Sequence, residues 1–186
     1  MALIANTKVP AHKLAGPLRH AAATGNVAKV RELLKMGAAP DRRATRQPTP
    51  LIAAASAGHL PVVKELLAAG ADPSFAHGGQ RGTTALREAI RQCRFKVASA
   101  LIAAGANVHH DWTGKGSTIT YEAASLCNEL NRKAMGKQRR QIPECVKIVG
   151  ELLRAGGKIQ PGPLTQAAIG GNRGLVRAVR FRFRHR

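Results

Sequence analysis

One stretch of 25 residues, from Thr49 to Pro73, constrains the fold of this chain more than any other. Thr49 can cap a helix that starts at Pro50, because a proline in the first helical position loses only an N–H that has no partner there. Gly58 predicts a turn, and Gly70 predicts the end of a second helix. That second helix has an apolar stripe with spacings of three and four, made of Leu60, Val63, Leu66 and Leu67. The stretch therefore predicts a helix-turn-helix unit with one apolar face.

The same unit recurs along the chain. Clear copies run from Pro17 to Pro40 and from Thr84 to Val108, with Cys93 at the position of the turn glycine in the second of these. The three units open 33 and 35 residues apart, at Leu18, Leu51 and Leu86. Weaker copies follow in residues 118–153, interrupted by extra residues, and in residues 163–179. One unit cannot bury its apolar face alone, so we expect the copies to stack and cover one another.

The period, with T-P-L, A-A, G-H-L, V-V-x-x-L-L and G-A-D in this order, resembles the ankyrin repeat. The resemblance covers roughly residues 17–180 and implies an all-α solenoid of stacked helix-turn-helix units with short hairpin fingers. We predict an N-terminal arm at 1–16, an array at 17–180 and an Arg/Phe-rich tail at 181–186. The predicted repeats are about 17–48, 49–82, 83–117, 118–160 and 161–180. The fourth repeat contains a basic insertion at 130–142, and the fifth is a cap.

The charge of the chain is strongly one-sided. It has 30 Lys and Arg against 10 Asp and Glu, which gives a net charge of +20. Residues 130–186 hold fourteen of the basic residues and only two acids, Glu144 and Glu151. Such an excess predicts an acidic partner, with a merely solvated basic surface as the alternative.

The resemblance places the binding surface on the fingers and on the concave groove beside them. Guanidinium groups suit carboxylates and phosphates, and a finger tryptophan can bury a large flat face at low entropy cost. The alternative for Trp112 is that it folds back onto the adjacent helices. The alternative for the arginines of the first finger is that they belong to a solvated turn. The partner-binding candidates are Arg42, Arg43, Arg46, Arg91, Trp112 and Lys115.

A second set of candidates would bind a polyanion. In the insertion these are Arg132, Lys133, Lys137, Arg139 and Arg140, and in the tail they are Arg180, Arg182, Arg184 and Arg186. The insertion has the alternative of a solvated loop that binds nothing. In the tail, arginines alternate with Val179, Phe181, Phe183 and His185. A strand would place all the arginines on one face, whereas a continued helix would scatter them.

The sequence contains no motif that predicts catalysis or a cofactor. The acids are scattered singly, and we expect no enzyme activity. We expect no metal site either, because nothing fixes the geometry of His77, His109, His110 and Asp111. The three cysteines, Cys93, Cys127 and Cys145, are odd in number and lack C-x-x-C spacing. We therefore expect small buried thiols in a reducing compartment rather than a disulfide framework, with a reactive thiol as the alternative.

These features predict a non-catalytic scaffold or adaptor that binds an acidic protein surface within a larger complex. The alternative is a structural component of a ribonucleoprotein or other nucleic-acid assembly, which would use the insertion and the tail. Recruitment to an anionic membrane is a third alternative, but the chain lacks an amphipathic insertion helix. We expect the cytoplasm or nucleus, although the absence of acids from residues 1–31 also suits an organelle address.

Overall fold

The computed structural model of the protein describes residues 10–41, 47–78, 82–110, 118–133, 140–158, 162, 167 and 172–183. For residues 11, 12, 133 and 180–183 it describes the backbone alone. The helices in these ranges are α1 (Ala11–Thr24), α2 (Val27–Lys35), α3 (Pro50–Ala57), α4 (Leu60–Ala68), α5 (Ala85–Arg91), α6 (Phe95–Ala103), α7 (Ile119–Lys133), α8 (Ile142–Arg154) and α9 (Arg173–Phe183).

The helices form two layers. Helices α1, α3, α5 and α7 pack side by side in one layer, and α2, α4, α6, α8 and α9 pack in the other. Each of the first four units contributes one helix to each layer, and the described core between the layers is continuous along the array. Leu51, Leu66, Leu86, Leu101 and Leu152 are among its fully buried residues. This arrangement confirms the predicted all-α solenoid.

Local signals in the sequence produce the repeat. The Oγ1 atoms of Thr49 and Thr84 accept hydrogen bonds from the N–H groups of residues three positions later, at 3.3 and 3.2 Å, and so cap α3 and α5. Thr118 does the same for the fourth unit at 3.4 Å. The turn between the two helices of a unit is left-handed at Gly25, with φ +75°, and at Gly58, with φ +91°. The predicted register is therefore correct in each of these units.

The helix ends differ from the sequence-based boundaries in three places. Helix α1 begins at Ala11, six residues before Pro17, because Leu14 and Ala15 in the predicted arm are buried in the core. Helix α7 runs to Lys133, so the first residues of the predicted insertion are helical. Helix α9 continues to Phe183, so the described part of the tail is a helix rather than a strand.

The expectation of three separate thiols was wrong. The structure pairs Cys127 of α7 with Cys145 of α8 in a disulfide, with their Cα atoms 5.7 Å apart. The two helices are packed neighbours within one unit, which brings together residues separated by 18 positions in sequence. Both cysteines are fully buried, as expected, whereas Cys93 is free and half-buried. Burial raises the pKa of the Cys93 thiol.

The described residues contain no helix that is both long enough and apolar enough to span a bilayer.

Candidate interaction surfaces

A cluster of charges lies between α5 and α7 on the first helical layer. Arg87 Nε donates to Glu122 Oε2 at 3.1 Å, and both side chains are largely shielded from solvent. Arg91 lies farther from its acids, at 3.8 Å from Glu122 and 3.7 Å from Glu88, and is 49% exposed. The predicted partner-binding residue Arg91 is therefore held in a network of carboxylates that leaves half of its surface open.

A ladder of side chains connects the turns of successive units. The His59 ring Nε2 donates to the Ala23 carbonyl oxygen of the preceding unit at 3.1 Å. One unit later, Arg94 Nε donates to the Ser56 carbonyl oxygen at 3.5 Å. Asn172 makes a related contact between units farther along, where its Nδ2 donates to the carbonyl oxygen of Cys127, inside α7, at 3.4 Å. The contacts of His59 and Arg94 satisfy carbonyl groups at helix ends, which otherwise lack partners inside the helix.

A cavity of about 300 Å³ opens where this ladder meets the basic insertion. Its polar walls are Arg94, Lys96, Arg140 and Glu144, and Phe95 lies among its apolar lining. Arg140 was predicted from the sequence, but Arg94 and Lys96 were not assigned to the same site. The sequence feature that could have placed Arg94 and Lys96 in this site is their position at the start of α6. A long side chain directly after the turn can reach the next unit.

The second helical layer has its own ladder of polar contacts. Arg31 Nη2 lies 2.6 Å from Glu65 Oε1, and this contact holds the pKa of the Glu65 carboxyl below its usual range. Two units later, Ser99 Oγ donates to Glu151 Oε2 at 2.7 Å. Both contacts link equivalent positions of adjacent second helices.

The bases of the fingers are connected in the same way. The Asp72 N–H donates to Asp41 Oδ2 at 3.0 Å, and the Asn107 N–H donates to Ser74 Oγ at 3.0 Å. Burial raises the pKa of Asp41, and this outweighs the lowering effect of the hydrogen bond from Asp72. In the second finger, the backbone groups of His77 and Thr83 pair as an antiparallel bridge. That bridge agrees with the expected hairpin form of a finger.

Many of the sequence-predicted site residues lie outside the described ranges. Arg132 and Arg140 are exposed at the two described ends of the insertion. Lys133 ends α7, and Arg180 and Arg182 lie on α9, with the backbone alone described. The candidates outside the described ranges are Arg42, Arg43, Arg46, Trp112, Lys115, Lys137, Arg139, Arg184 and Arg186.

The described charges are not used evenly. Within the array, ion pairs between described residues engage the carboxylates of Glu32, Glu65, Glu88, Glu122 and Glu151. Among the described residues, many exposed cations make no such pair. They are Lys13, Lys35, Lys64, Arg94, Lys96, Arg132, Arg140, Arg154, Lys158, Arg173 and Arg177. The surface therefore presents cations, whereas much of its acidic complement is internally engaged.

Histidines at the finger bases take structural roles. His110 Nε2 donates to the Gly82 carbonyl oxygen at 3.1 Å. In the part of the chain that the structure describes, no group of three or more His, Cys, Asp or Glu side chains is arranged to hold a metal ion.

Comparison with known families agrees with this architecture. A family model described as ankyrin repeats, in three copies, matches residues 17–112, which is just over half of the chain. A search of curated proteins returned no match. The matched region begins at Pro17 within α1 and contains the rest of the first three helix pairs, with the turns at Gly25, Gly58 and Cys93. The chain therefore belongs to the ankyrin-repeat family.

Proposed function

We propose that this protein is a non-catalytic scaffold or adaptor that binds an acidic protein surface through its fingers and concave groove, as part of a larger complex. Ankyrin repeats generally mediate protein–protein interactions and are typically not catalytic, which supports the interaction role. The acidic nature of the partner is inferred from the charge of this chain.

The observation that carries this proposal is the use of the described carboxylates. Glu122 and Glu151 serve as internal partners of Arg87 and Ser99, so these acids hold the array together. Exposed cations such as Arg94 and Lys96 have no described ion-pair partner. A partner that supplies carboxylates would complete these unpaired charges, and such complementarity favours both rate and specificity of association.

Arg91 is the described residue with the best position for this role. Its distances of 3.7 and 3.8 Å from the neighbouring acids are longer than those of good hydrogen bonds. Its guanidinium donors therefore remain available to a carboxylate of a partner, while Glu88 and Glu122 fix its location. We place Trp112 and Lys115, together with the first-finger residues Arg42, Arg43 and Arg46, in the same contact surface.

The proposal is tested with a fluorescein-labelled peptide of about twenty residues rich in glutamate, titrated by fluorescence anisotropy. The test variant combines Arg91→Ser, Trp112→Ala and Lys115→Ser. Its control combines Lys13→Ser and Lys35→Ser, which removes the same positive charge from exposed sites on α1 and α2. We expect about tenfold weaker binding by the test variant and less than about twofold by the control. Equal losses would contradict the proposed contact surface.

A second candidate function is favoured by the ends of the insertion. Arg132 and Arg140 are both exposed, and they flank a segment whose sequence adds Lys133, Lys137 and Arg139. Such a cluster matches the electrostatic footprint of nucleic-acid binding. Under this alternative the array would contact neighbouring proteins, while the insertion and tail bind RNA phosphates.

A further inference from the structure

A second cavity lies on the outer surface between α8 and α9, away from the first helical layer. Its volume is about 470 Å³, within the range of about 300–1,000 Å³ that is usual for ligand sites. Val146 and Leu153 of α8 supply apolar lining, and the surface of the cavity is predominantly apolar. Leu153 is buried and Val146 is half-buried.

The cavity lies on the ladder of polar contacts that links the helices of the second layer, at a position where the side chains are small. Arg31 and Glu65 fill this position between the first two units, and Ser99 and Glu151 fill it between the third and fourth. The second helices can be aligned on their paired leucines and on the residue that follows the turn. In that alignment, Gly150 of α8 stands at the position of Arg31, and Ala178 of α9 stands at the position of Glu65. The ladder pair is also missing between α4 and α6, where Ala100 stands opposite Lys64. Between α8 and α9 both positions are small, and an open space takes the place of the pair.

The rim of this space is cationic. Arg154, Arg177 and Lys147 line the cavity, and all three side chains are exposed. Of these three, only Lys147 has an acidic neighbour among the described residues, with Nζ 3.9 Å from Glu151. No acid occurs among the described residues that line the cavity. Arg173, one turn before Arg177 on α9, adds another exposed cation nearby.

We propose that this outer groove binds an acidic peptide segment of a partner protein that carries one large apolar side chain. The apolar side chain would occupy the cavity over Val146 and Leu153, while flanking carboxylates meet Arg154 and Arg177. The net charge of +20 argues against a second copy of this chain as the occupant, because two such copies repel each other. The inference rests on the proposed function for the acidic nature of the partner, but it assigns a different surface.

Two labelled nine-residue peptides form the probe. Each has glutamates on both sides of a central residue, which is Phe in one peptide and Ala in the other. The readout is the ratio of their affinities for the full-length protein at about 150 mM salt, because the common charge attraction cancels in that ratio. Burial of the phenyl ring should make the Phe peptide bind at least about tenfold more tightly.

The main variant combines Gly150→Arg with Ala178→Glu, which rebuilds the missing ladder pair and leaves the net charge unchanged. We expect the affinity ratio to fall to about one. The matched control is Ala100→Glu, which places an acid at the equivalent ladder position opposite Lys64 and should leave the ratio intact. Ala178→Leu fills the cavity from a half-buried position and provides a second test if the double variant does not fold. Circular dichroism melts establish folding.

The rim is tested with Arg154→Ser and Arg177→Ser together, which should weaken both peptides about tenfold without changing their ratio. Lys35→Ser and Lys64→Ser together remove the same charge from α2 and α4 and should have little effect. Equal binding of the Phe and Ala peptides to the natural protein would contradict the proposed peptide site in the outer groove. The proposed function would then still stand. Failure of both peptides to bind would overturn the acidic partner itself. A structured RNA whose binding is lost in the Gly150→Arg/Ala178→Glu variant would identify the groove as an RNA site, contrary to the proposal.

Discussion

The imidazole of His59 lies directly over Gly25 of the preceding repeat. A Cβ atom at residue 25 would be 2.6 Å from His59 Nδ1, while Nε2 of the same ring is 3.1 Å from the Ala23 carbonyl oxygen. The backbone of residue 25 is also left-handed, with φ +75°. Glycine is thus required here twice, once by its own conformation and once by the side chain of the next repeat.

Gly25→Ala should therefore destabilise the protein by at least about 2 kcal/mol in urea unfolding. Gly37 is a matched control, since its φ is +89° and nothing lies within 4 Å of a Cβ placed there. Gly37→Ala should cost only the conformational part, about 1 kcal/mol. In a double-mutant cycle, His59→Ala should recover most of the difference between them. Equal losses of stability for the two glycine substitutions would show that the contact between His59 and residue 25 adds nothing to the cost of Gly25→Ala.

Cys93 occupies the same turn position in the third repeat with φ +55°, a conformation that strains a residue other than glycine. Cys93→Gly should raise the free energy of unfolding by about 1 kcal/mol, because it relieves this strain. Cys93→Ala keeps the backbone strain and should bring no such gain. A glycine variant less stable than the alanine variant would mean that the packing of a side chain at this half-buried position outweighs the relief of backbone strain.

Asp41 should make stability depend on pH in the acidic range. Its pKa is raised by burial above the ordinary value of 3.8, so the folded state binds the proton more tightly than the unfolded state. The stability it contributes is fully present below that ordinary value and is lost as pH rises through the folded-state pKa. Asp41→Asn keeps an acceptor for the Asp72 N–H and removes the buried charge. The variant should be more stable than the natural protein at pH 7, and this advantage should disappear near pH 3.

The Cys127–Cys145 disulfide closes a loop that contains the insertion, with a sequence separation of 18. In the chain-entropy treatment, a loop of this length is worth about 3 kcal/mol. Thiol titration under denaturing, non-reducing conditions should find one free thiol, that of Cys93. Reduction should lower the stability of the natural protein but leave a Cys127→Ala/Cys145→Ala variant unchanged. Three free thiols before reduction would contradict the pairing.

The sequence predicted the repeats because their determinants are local. Thr49 and Thr84 accept hydrogen bonds from N–H groups only three residues away, and Gly58 turns the chain within a single repeat, so each signal recurs with the period. The start of α1 was missed because Pro17 is a strong signal for a helix start. In the structure, burial of Leu14 outweighs the loss of one helical hydrogen bond.

Contacts between repeats were much less predictable. The pairing of Cys127 with Cys145 depends on how α7 and α8 approach each other across an insertion that the period does not describe. The contact of Arg94 with Ser56 likewise depends on the stacking of two repeats. The outer groove was missed because it arises from side chains that are small, Gly150 and Ala178, and its meaning appears only beside the filled positions of other repeats.

The central claim is that the positive surface serves an acidic protein partner rather than RNA. The most direct measurement titrates the full-length protein with a structured RNA and, separately, with the glutamate-rich peptide, each at about 50 and 200 mM salt. We expect the peptide to retain measurable binding at the higher salt, and RNA binding to be negligible there. RNA binding that persists, with a log–log salt slope of roughly −7 as for about eight phosphates, would contradict the claim. Loss of that binding in a variant that replaces the insertion cations with serine and lacks residues 180–186 would establish the nucleic-acid function instead.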